Sequence, residues 1–263
     1  MTITILSTMA SNKKELICKL LKGIETGDPL SVAVVNEEKY IQHNPQTREG
    51  NQGLAKLFER LSKTSPRVNI VRIFEDGDFV FAHTEYDFAT RNIGFEIFRF
   101  EDGHAVEHWD NIQKRKGPNI SGHSMVDGEV TVVDHEKTDS NRFVIQSFVE
   151  ETLIKGRFEK LEDYINQEHY VEHNPRLSDN LVELSCALSQ ASNNDSISIK
   201  YEKCHRILAE GNFILSICEG YTNQTPTSFF DLYRLKEGEI VEHWDTTEAI
   251  PPRSEWKNNN GKF

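Results

Sequence analysis

Apolar residues follow a helical period in two segments that lie about 130 residues apart in the chain. The first segment, 12–26, carries apolar residues at Leu16, Ile17, Leu20, Leu21 and Ile24. This spacing places one apolar stripe on a helix, and the following Gly27 and Pro29 end it. The pattern predicts an amphipathic helix here and a counterpart at 141–155, with further helices at 52–62 and 180–190.

Stretches rich in β-branched and aromatic residues follow the first set of helices. They cover residues 68–75, 79–89, 94–101 and 105–113, with Gly77 and Gly103 at turns. Helices followed by a four-stranded antiparallel run, in both halves of the chain, predict an α+β architecture.

The sequence contains an internal repeat. One segment, Tyr40-Ile41-Gln42-His43-Asn44-Pro45, recurs as Tyr170-Val171-Glu172-His173-Asn174-Pro175. The segment from Arg99 to Asp110 recurs from Arg234 to Asp245, including an unbroken Val-Glu-His-Trp-Asp. A period of this length corresponds to a complete domain. We therefore predict one domain at residues 1–116, a linker at 117–139, a second domain at 140–250 and a flexible tail at 251–263.

The hairpin around Gly103 determines which side chains share a face of the sheet. A type I turn with a G1 bulge at this glycine places six residues together: Glu96, Phe98, Phe100, Val106, His108 and Asp110. A strict two-residue turn would shift the register by one and turn Trp109 inward instead. Ionisable groups on an apolar face are costly unless they are paired or solvated, so we expect a pocket mouth there. The second copy has the equivalent set Asp231, Tyr233, Leu235, Val241, His243 and Asp245.

Alternation on the preceding strand groups Phe79, Phe81, His83 and Glu85, which adds His83 to the same cavity. The second copy has Ile217 at the position of His83. We therefore predict that the first pocket is the more active one.

Composition excludes several function classes. The formal charge of −12 opposes binding to a phosphate backbone, so nucleic acid is not an expected partner. No apolar stretch approaches the roughly 20 residues of a membrane span. The four cysteines lack C-x-x-C spacing, and the first ten residues lack the features of a signal peptide. We expect a cytoplasmic protein.

The Tyr-x-x-His-Asn-Pro loop and the hairpin ending in Val-Glu-His-Trp-Asp resemble the SnoaL-like (polyketide cyclase-like) family of the NTF2-like superfamily, in two tandem copies. The resemblance implies cone-shaped α+β barrels, each a curved antiparallel sheet wrapped around a helix. It also implies an intramolecular pseudo-dimer or a homodimer. Polyketide cyclases of this family use a pocket aspartate as the acid/base in an aldol condensation, without metal or cofactor. That aspartate corresponds to Asp110 and Asp245, and the histidine-bearing loop to His43 and His173.

We expect Asp110 to act as the base, with Glu96 and His108 tuning it and His43 and His83 donating to a substrate oxygen. The second-pocket equivalents are Asp245, His173, His243 and Asp231. No cofactor and no metal are expected.

Structural alternatives remain open for these residues. His108 and Asp110 could pair with each other across the sheet rim. Trp109 and Trp244 could serve packing or an interface, and His43 and His173 could pin their loops. A metal site from His43, His83 and His108 is a further alternative.

The resulting functional hypothesis is a small-molecule enzyme of cyclase, lyase or isomerase type that works by Asp/His acid-base catalysis. The expected ligand is a small apolar or carbonyl-bearing molecule. The alternatives are a non-catalytic small-molecule-binding or stress-associated protein, and an interaction module with remnant pockets.

Overall fold

The computed structural model describes residues 13–36, 38–48, 50–189 and 198–263. Residues 1–12 and 190, which entered the predictions above, lie outside the described residues. The first half contains α1 (Lys13–Thr26), a 3-10 turn (Pro29–Val34), β1 (Ile41–Gln42), α2 (Gly50–Ser62), β2 (Arg67–Asp76), β3 (Phe79–Asp87), β4 (Arg91–Glu101) and β5 (His104–Lys114). The predicted helices and strands of this half all form. Strand β1 is an addition to the prediction.

The second half repeats this order. It contains α3 (Thr138–Ser147), which continues as a π-helix (Phe148–Ile154), then α4 (Leu161–Tyr164), β6 (Val171–Glu172), α5 (Leu181–Leu188), β7 (Ile199–Glu210), β8 (Phe213–Thr222), β9 (Thr225–Lys236) and β10 (Glu239–Ala249). Within the described residues the strands form two five-stranded sheets, ordered β1-β5-β4-β3-β2 and β6-β10-β9-β8-β7. The fold is a tandem NTF2-like α+β architecture.

Each sheet packs one face against its own helices. In the first domain, α1 contributes Ile17, Leu20, Leu21 and Ile24, all buried against Val80, Ala82, Phe98 and Phe100 of the sheet. The helical stripe predicted from the sequence is therefore the stripe that covers this face.

The β4–β5 hairpin differs from the predicted turn but keeps the predicted face. Asp102 and Gly103 both have positive φ, 50° and 79°, and Glu101 pairs directly with His104, which defines a two-residue turn. The predicted G1 bulge at Gly103 was therefore wrong. A bulge three residues later compensates, because Ala105 pairs with Phe100 while Glu107 pairs with Arg99, leaving Val106 as the extra residue. The bulge restores the register, so that Asp110 faces Glu96.

The outer faces of the two sheets pack against each other within the chain. The interdomain core consists of Phe74, Phe81, Ile93, Phe95, Ile97 and Trp109 from the first domain and Leu208, Phe213, Leu215, Ile217, Phe230, Leu232 and Trp244 from the second. Each tryptophan lies under an arginine of the other domain: Arg206 is 4.2 Å from the ring centre of Trp109, and Arg72 is 4.0 Å from that of Trp244. The two tryptophans are interface residues.

The segments that follow the two domains cross to the opposite domain. The linker strap, residues 117–129, lies on the loop of the second domain, where Asn119 donates to the main-chain oxygen of Glu172 and Ser124 accepts from His173. The tail strap, residues 251–263, lies on the loop of the first domain, where Asn258 and Asn260 donate to main-chain oxygens. The polar composition of the tail, which led to the prediction of a flexible segment, does not reveal these side-chain contacts.

No helix in the described ranges combines the length and the apolar character needed to cross a bilayer.

Candidate active site

The first domain encloses a cavity of about 450 Å³ between its helices and the concave face of its sheet. Its apolar lining consists of Leu20, Leu21, Ile24, Leu54, Phe58, Leu61, Phe88, Phe98 and Ile112. The polar groups, including Tyr40, Asn44, Glu96, His108 and Asp110, come mainly from the strands and the loop around β1. An apolar cavity of this size with a few polar groups is typical of a small-molecule site.

Asp110 is buried at the cavity. In the described part of the chain, one of its carboxylate oxygens accepts a hydrogen bond from the protein, and the other does not. Its Oδ2 accepts a hydrogen bond from Asn44 Nδ2 at 2.8 Å. Its Oδ1 is buried and has no hydrogen-bond partner among the described residues. An unsatisfied buried oxygen costs free energy, so it marks a place where a ligand or water can donate.

His108 lies at the centre of a hydrogen-bonded chain. The main-chain N–H of Asn44 donates to Gln42 Oε1 at 2.9 Å, which identifies this atom as the amide oxygen. His108 Nδ1, 3.0 Å away, therefore donates to it. His108 Nε2 is hydrogen-bonded to Glu96 Oε2 at 2.7 Å, and Tyr86 donates to the other Glu96 oxygen at 2.7 Å. The alternative in which His108 pairs with Asp110 is not what the structure shows.

Two tyrosines and one glycine shape this end of the cavity. Tyr40 is buried, and its hydroxyl has no hydrogen-bond partner in the part of the chain that the structure describes. Burial, together with the negative charges of Asp110 and Glu96, raises the pKa of Tyr40 well above its ordinary value, so the hydroxyl stays protonated. Gly94 leaves room for Tyr86, because a Cβ there would lie 2.6 Å from the Tyr86 ring and 2.9 Å from Glu96 Oε1.

His43 and His83 lie on the other side of the sheet, away from the cavity. His43 stacks on Trp109 with ring centres 4.6 Å apart, and its Nε2 is 2.9 Å from Glu107 Oε1. His83 is fully buried against Phe95, beside Arg72. Burial and the charge of Arg72 lower the pKa of His83 well below its ordinary value. The expectation that these two histidines contact a substrate was wrong; His43 pins its loop.

The second domain repeats the polar cluster but retains a space of only about 30 Å³. This is room for one or two water molecules. Asn174 donates to Asp245 Oδ2 at 2.7 Å, and Asp245 Oδ1 has no partner. Tyr201 donates to Asp231 at 3.0 Å. It lies on β7 opposite Gly220 of β8, whereas in the first domain Tyr86 lies on β3 opposite Val68 of β2. The tyrosine thus comes from a different strand. His173 stacks on Trp244, like His43 on Trp109.

The charge of the second cluster differs because Glu172 replaces Gln42. His243 lies between Glu172, at 2.9 Å from Nδ1, and Asp231, at 3.3 Å from Nε2. Burial alone would lower the pKa of His243, but the two carboxylates raise it well above its ordinary value. Burial, with the charges of Asp231 and Glu172 against the opposing charge of His243, raises the pKa of Asp245 to about 7.

One group of three possible metal ligands occurs among the described residues: Glu96, His108 and Asp110, whose ligand atoms lie within 4.8 Å of one another. A metal ion here would have to displace the 2.7 Å hydrogen bond between His108 and Glu96. The alternative metal site from His43, His83 and His108 is not assembled, because the first two face the interdomain core.

The sequence interpretation missed Tyr40, Gln42, Asn44 and Tyr86. Three of them alternate in the repeated loop motif, and β1 pairs parallel with β5 so that Gln42 lies beside His108. The signal was the alternation itself, since Pro45 already favoured extended backbone at Asn44. If the loop had been interpreted as a short strand, alternation would have placed Gln42 and Asn44 in the cavity and His43 on the opposite face.

The fold and cluster define the class of the protein, an NTF2-like domain pair whose first domain holds an open pocket. The family model of the SnoaL-like domain matches residues 19–108, which lie within the first domain. The second shares its strand order and both repeated motifs. A comparison with curated proteins finds no match.

Several solved structures are similar to part of this chain. TsrD from Streptomyces laurentii is 22% identical, with 40% of this chain and 89% of that chain covered and a TM-score of 0.35. An NTF2-like protein of Cytophaga hutchinsonii is 15% identical over 38% and 89% of the chains, with a TM-score of 0.33. An LEH-like epoxide hydrolase of M. tuberculosis is 16% identical over 43% and 85%, with a TM-score of 0.34. These values identify no substrate.

Proposed function

We propose that the first domain binds a small carbonyl-bearing molecule and catalyses proton transfer at the carbon next to the carbonyl. The observation that carries the proposal is the 450 Å³ apolar cavity with two polar groups, Asp110 Oδ1 and the Tyr40 hydroxyl, that have no hydrogen-bond partner among the described residues. One group is a proton acceptor and the other a donor, which is the pair that enolate chemistry needs.

The residues divide the reaction as follows. Asp110 Oδ1 takes the α-proton, while Asn44 holds the other carboxylate oxygen. The electron pair left on carbon moves into the carbonyl, and Tyr40 donates a hydrogen bond to the resulting enolate oxygen. Asp110 then returns the proton to the same or another carbon. Alternatively, the enolate carbon attacks a second carbonyl, as in an aldol condensation, and Asp110 gives the proton to the alkoxide oxygen that forms. His108 and Glu96 hold the loop and the strand in register.

The second domain has a structural role in this proposal. Its remaining space of about 30 Å³ is too small for such a ligand, although Asp245 and Asn174 are in place. The first pocket is thus the candidate catalytic one for a reason of volume, and His83 plays no part in it.

The proposal is tested with 2-tetralone, a bicyclic ketone, whose α-hydrogen exchange in D₂O is followed by proton NMR. We expect the wild type to accelerate exchange and Asp110→Asn to reduce kcat by about 100-fold or more, the usual range for loss of a general base. Asp245→Asn is the matched control and should exchange like the wild type.

Binding is measured separately, by thermal shift with the same ketone. If 2-tetralone stabilises the wild type but exchanges no faster than in buffer, catalysis is rejected and a non-catalytic binding protein remains. Leu61→Trp, which fills the cavity, should abolish both binding and exchange. If this variant exchanges normally, the reaction does not take place in the cavity.

A further inference from the structure

Lys262 of the tail strap is buried beside Asp110. Its ammonium donates to the main-chain oxygen of Asp110 at 2.6 Å and to the carboxylate of Glu248, and it lies 3.8 Å from the free Asp110 Oδ1. Only 4% of the residue is exposed. Lysine is almost never buried to this extent unless its charge is paired. The pairing here is with the carboxylate proposed as the acid/base and with one neighbour.

Contacts on both sides of Lys262 fix its position. Asn258 donates to the main-chain oxygens of Asn44 and Thr47, and Asn260 donates to that of Gln42. Phe263 stacks on His205 with ring centres 4.1 Å apart. The tail strap therefore binds the same loop that carries the cavity residues, and it places the ammonium between Asp110 of β5 and Glu248 of β10.

We propose that Lys262 is a positioning residue for the first-domain site, supplied by the segment that follows the second domain. The inference rests on the proposed role of Asp110. Lys262 holds the Asp110 backbone through the main-chain oxygen and places its ammonium 3.8 Å from Oδ1, while Oδ1 has no hydrogen-bond donor among the described residues and can accept a proton from the cavity side.

The second domain lacks this arrangement. The linker strap, which lies on the loop of the second domain, places Asp127 beside His173, the counterpart of His43. Asp127 Oδ1 is 2.8 Å from His173 Nδ1. The charge that lowers the pKa of Asp245 is that of His243, and burial still raises this pKa to about 7. A lysine from the tail strap thus distinguishes the open pocket of the first domain from the filled pocket of the second.

The titratable or charged groups around Asp110 come from six parts of the fold: Tyr40 before β1, Tyr86 on β3, Glu96 on β4, His108 on β5, Glu248 on β10 and Lys262 on the tail strap. Lys262 is the lysine of this set; it is hydrogen-bonded to Glu248, and its ammonium lies 3.8 Å from Asp110 Oδ1. Its removal should therefore act on Asp110 and Glu248 directly.

The test compares Lys262→Met with the wild type in the full chain labelled with ¹³C at aspartate carboxyl carbons. Loss of a cation about 4 Å away should raise the titration midpoint of Asp110 by about one pH unit or more. Lys262→Arg should restore the wild-type midpoint, and Lys236→Met, at an exposed strand end, should leave it unchanged. An unchanged midpoint in Lys262→Met overturns the proposal.

Lys262→Gln guards against a folding defect, because its amide can still donate to Asp110 and Glu248. It should raise the midpoint like Lys262→Met; wild-type behaviour would reduce Lys262 to a hydrogen-bond donor and reject its electrostatic role. In the 2-tetralone assay, Lys262→Met should lower kcat by about tenfold with little change in KM, and move the acid limb of the pH profile upward. If the wild type exchanges no 2-tetralone, the proposed function fails, and the carboxyl titration still decides the role of Lys262.

Discussion

Asp110 and Asp245 occupy equivalent strand positions and accept the same asparagine hydrogen bond, but their surroundings differ. Asp110 faces an open cavity and has a lysine behind it. Asp245 faces filled space and lies near Asp231 and Glu172. The same residue is thus a candidate catalytic group in one domain and a source of instability in the other.

The pKa of Asp245 predicts a pH dependence of stability. Because burial raises this pKa from 3.8 to about 7, the folded state binds a proton that the unfolded state has already released between these values, and stability falls as pH rises through this window. From pH 5 to pH 8 the wild type should lose about 2–3 kcal/mol more than Asp245→Asn. Urea unfolding at both pH values measures the difference. Asp163→Asn, at an exposed site, is the control; equal losses in wild type and Asp245→Asn would contradict the assignment.

The prediction of which side chains reach the cavity succeeded where one strand face mixed apolar and ionisable residues. It failed where both faces of a strand are buried. Glu96, His108 and Asp110 interrupt an apolar face, and the structure places them together at the cavity. His83 stands among Phe79 and Phe81, which looked like cavity lining. Both sides of β3 are buried, one by helices and one by the second domain, and alternation cannot tell these apart.

At the scale of elements, the β4–β5 hairpin decides which residues reach the cavity. The two-residue turn at Asp102 and Gly103 alone would turn Trp109 inward, and the bulge at Val106 reverses this shift. The second domain has the same pair of devices, with positive φ at Glu237 and Gly238 and a bulge at Val241. The sequence predicted a bulge in the first hairpin but located it at Gly103 instead of Val106, because a bulge without glycine has no strong residue signature.

Gly103→Ala tests the turn. Gly103 has a φ of 79°, and no atom lies near a Cβ built there, so the substitution should cost backbone strain alone, about 1 kcal/mol. Gly117→Ala, where the space is equally open and the φ is not positive, should change the free energy of unfolding by less than about 0.5 kcal/mol. Chemical denaturation measures both. Equal effects of the two substitutions would mean that the turn does not require glycine.

At the scale of the whole molecule, the interdomain core joins the two sheets into one unit. Ion pairs border it: Arg142 holds Asp76 with two hydrogen bonds of 2.6 and 3.0 Å, and Lys14 binds Glu210 at 2.7 Å. The tandem repeat predicted two domains, but the shared core was not readable, because its residues are ordinary strand residues of each copy.

Ile97→Ala tests whether the domains unfold together. Ile97 is fully buried in the interdomain core, so its truncation should cost about 2–5 kcal/mol. We expect urea unfolding, followed by circular dichroism and tryptophan fluorescence, to remain one transition shifted to lower urea. Leu30→Ala, at an exposed position, should have little effect. A shift confined to half of the signal would show that the domains unfold independently.

The reciprocal straps have a consequence for the order of assembly during synthesis. The strap that completes the first-domain loop, with Lys262, is translated after the whole of the second domain, whereas the second domain has its own strap before its first helix appears. The first domain can collapse early around α1, yet its cavity acquires its full set of groups only after the second domain has been made. A nascent chain paused between the two domains would carry an open but incomplete pocket.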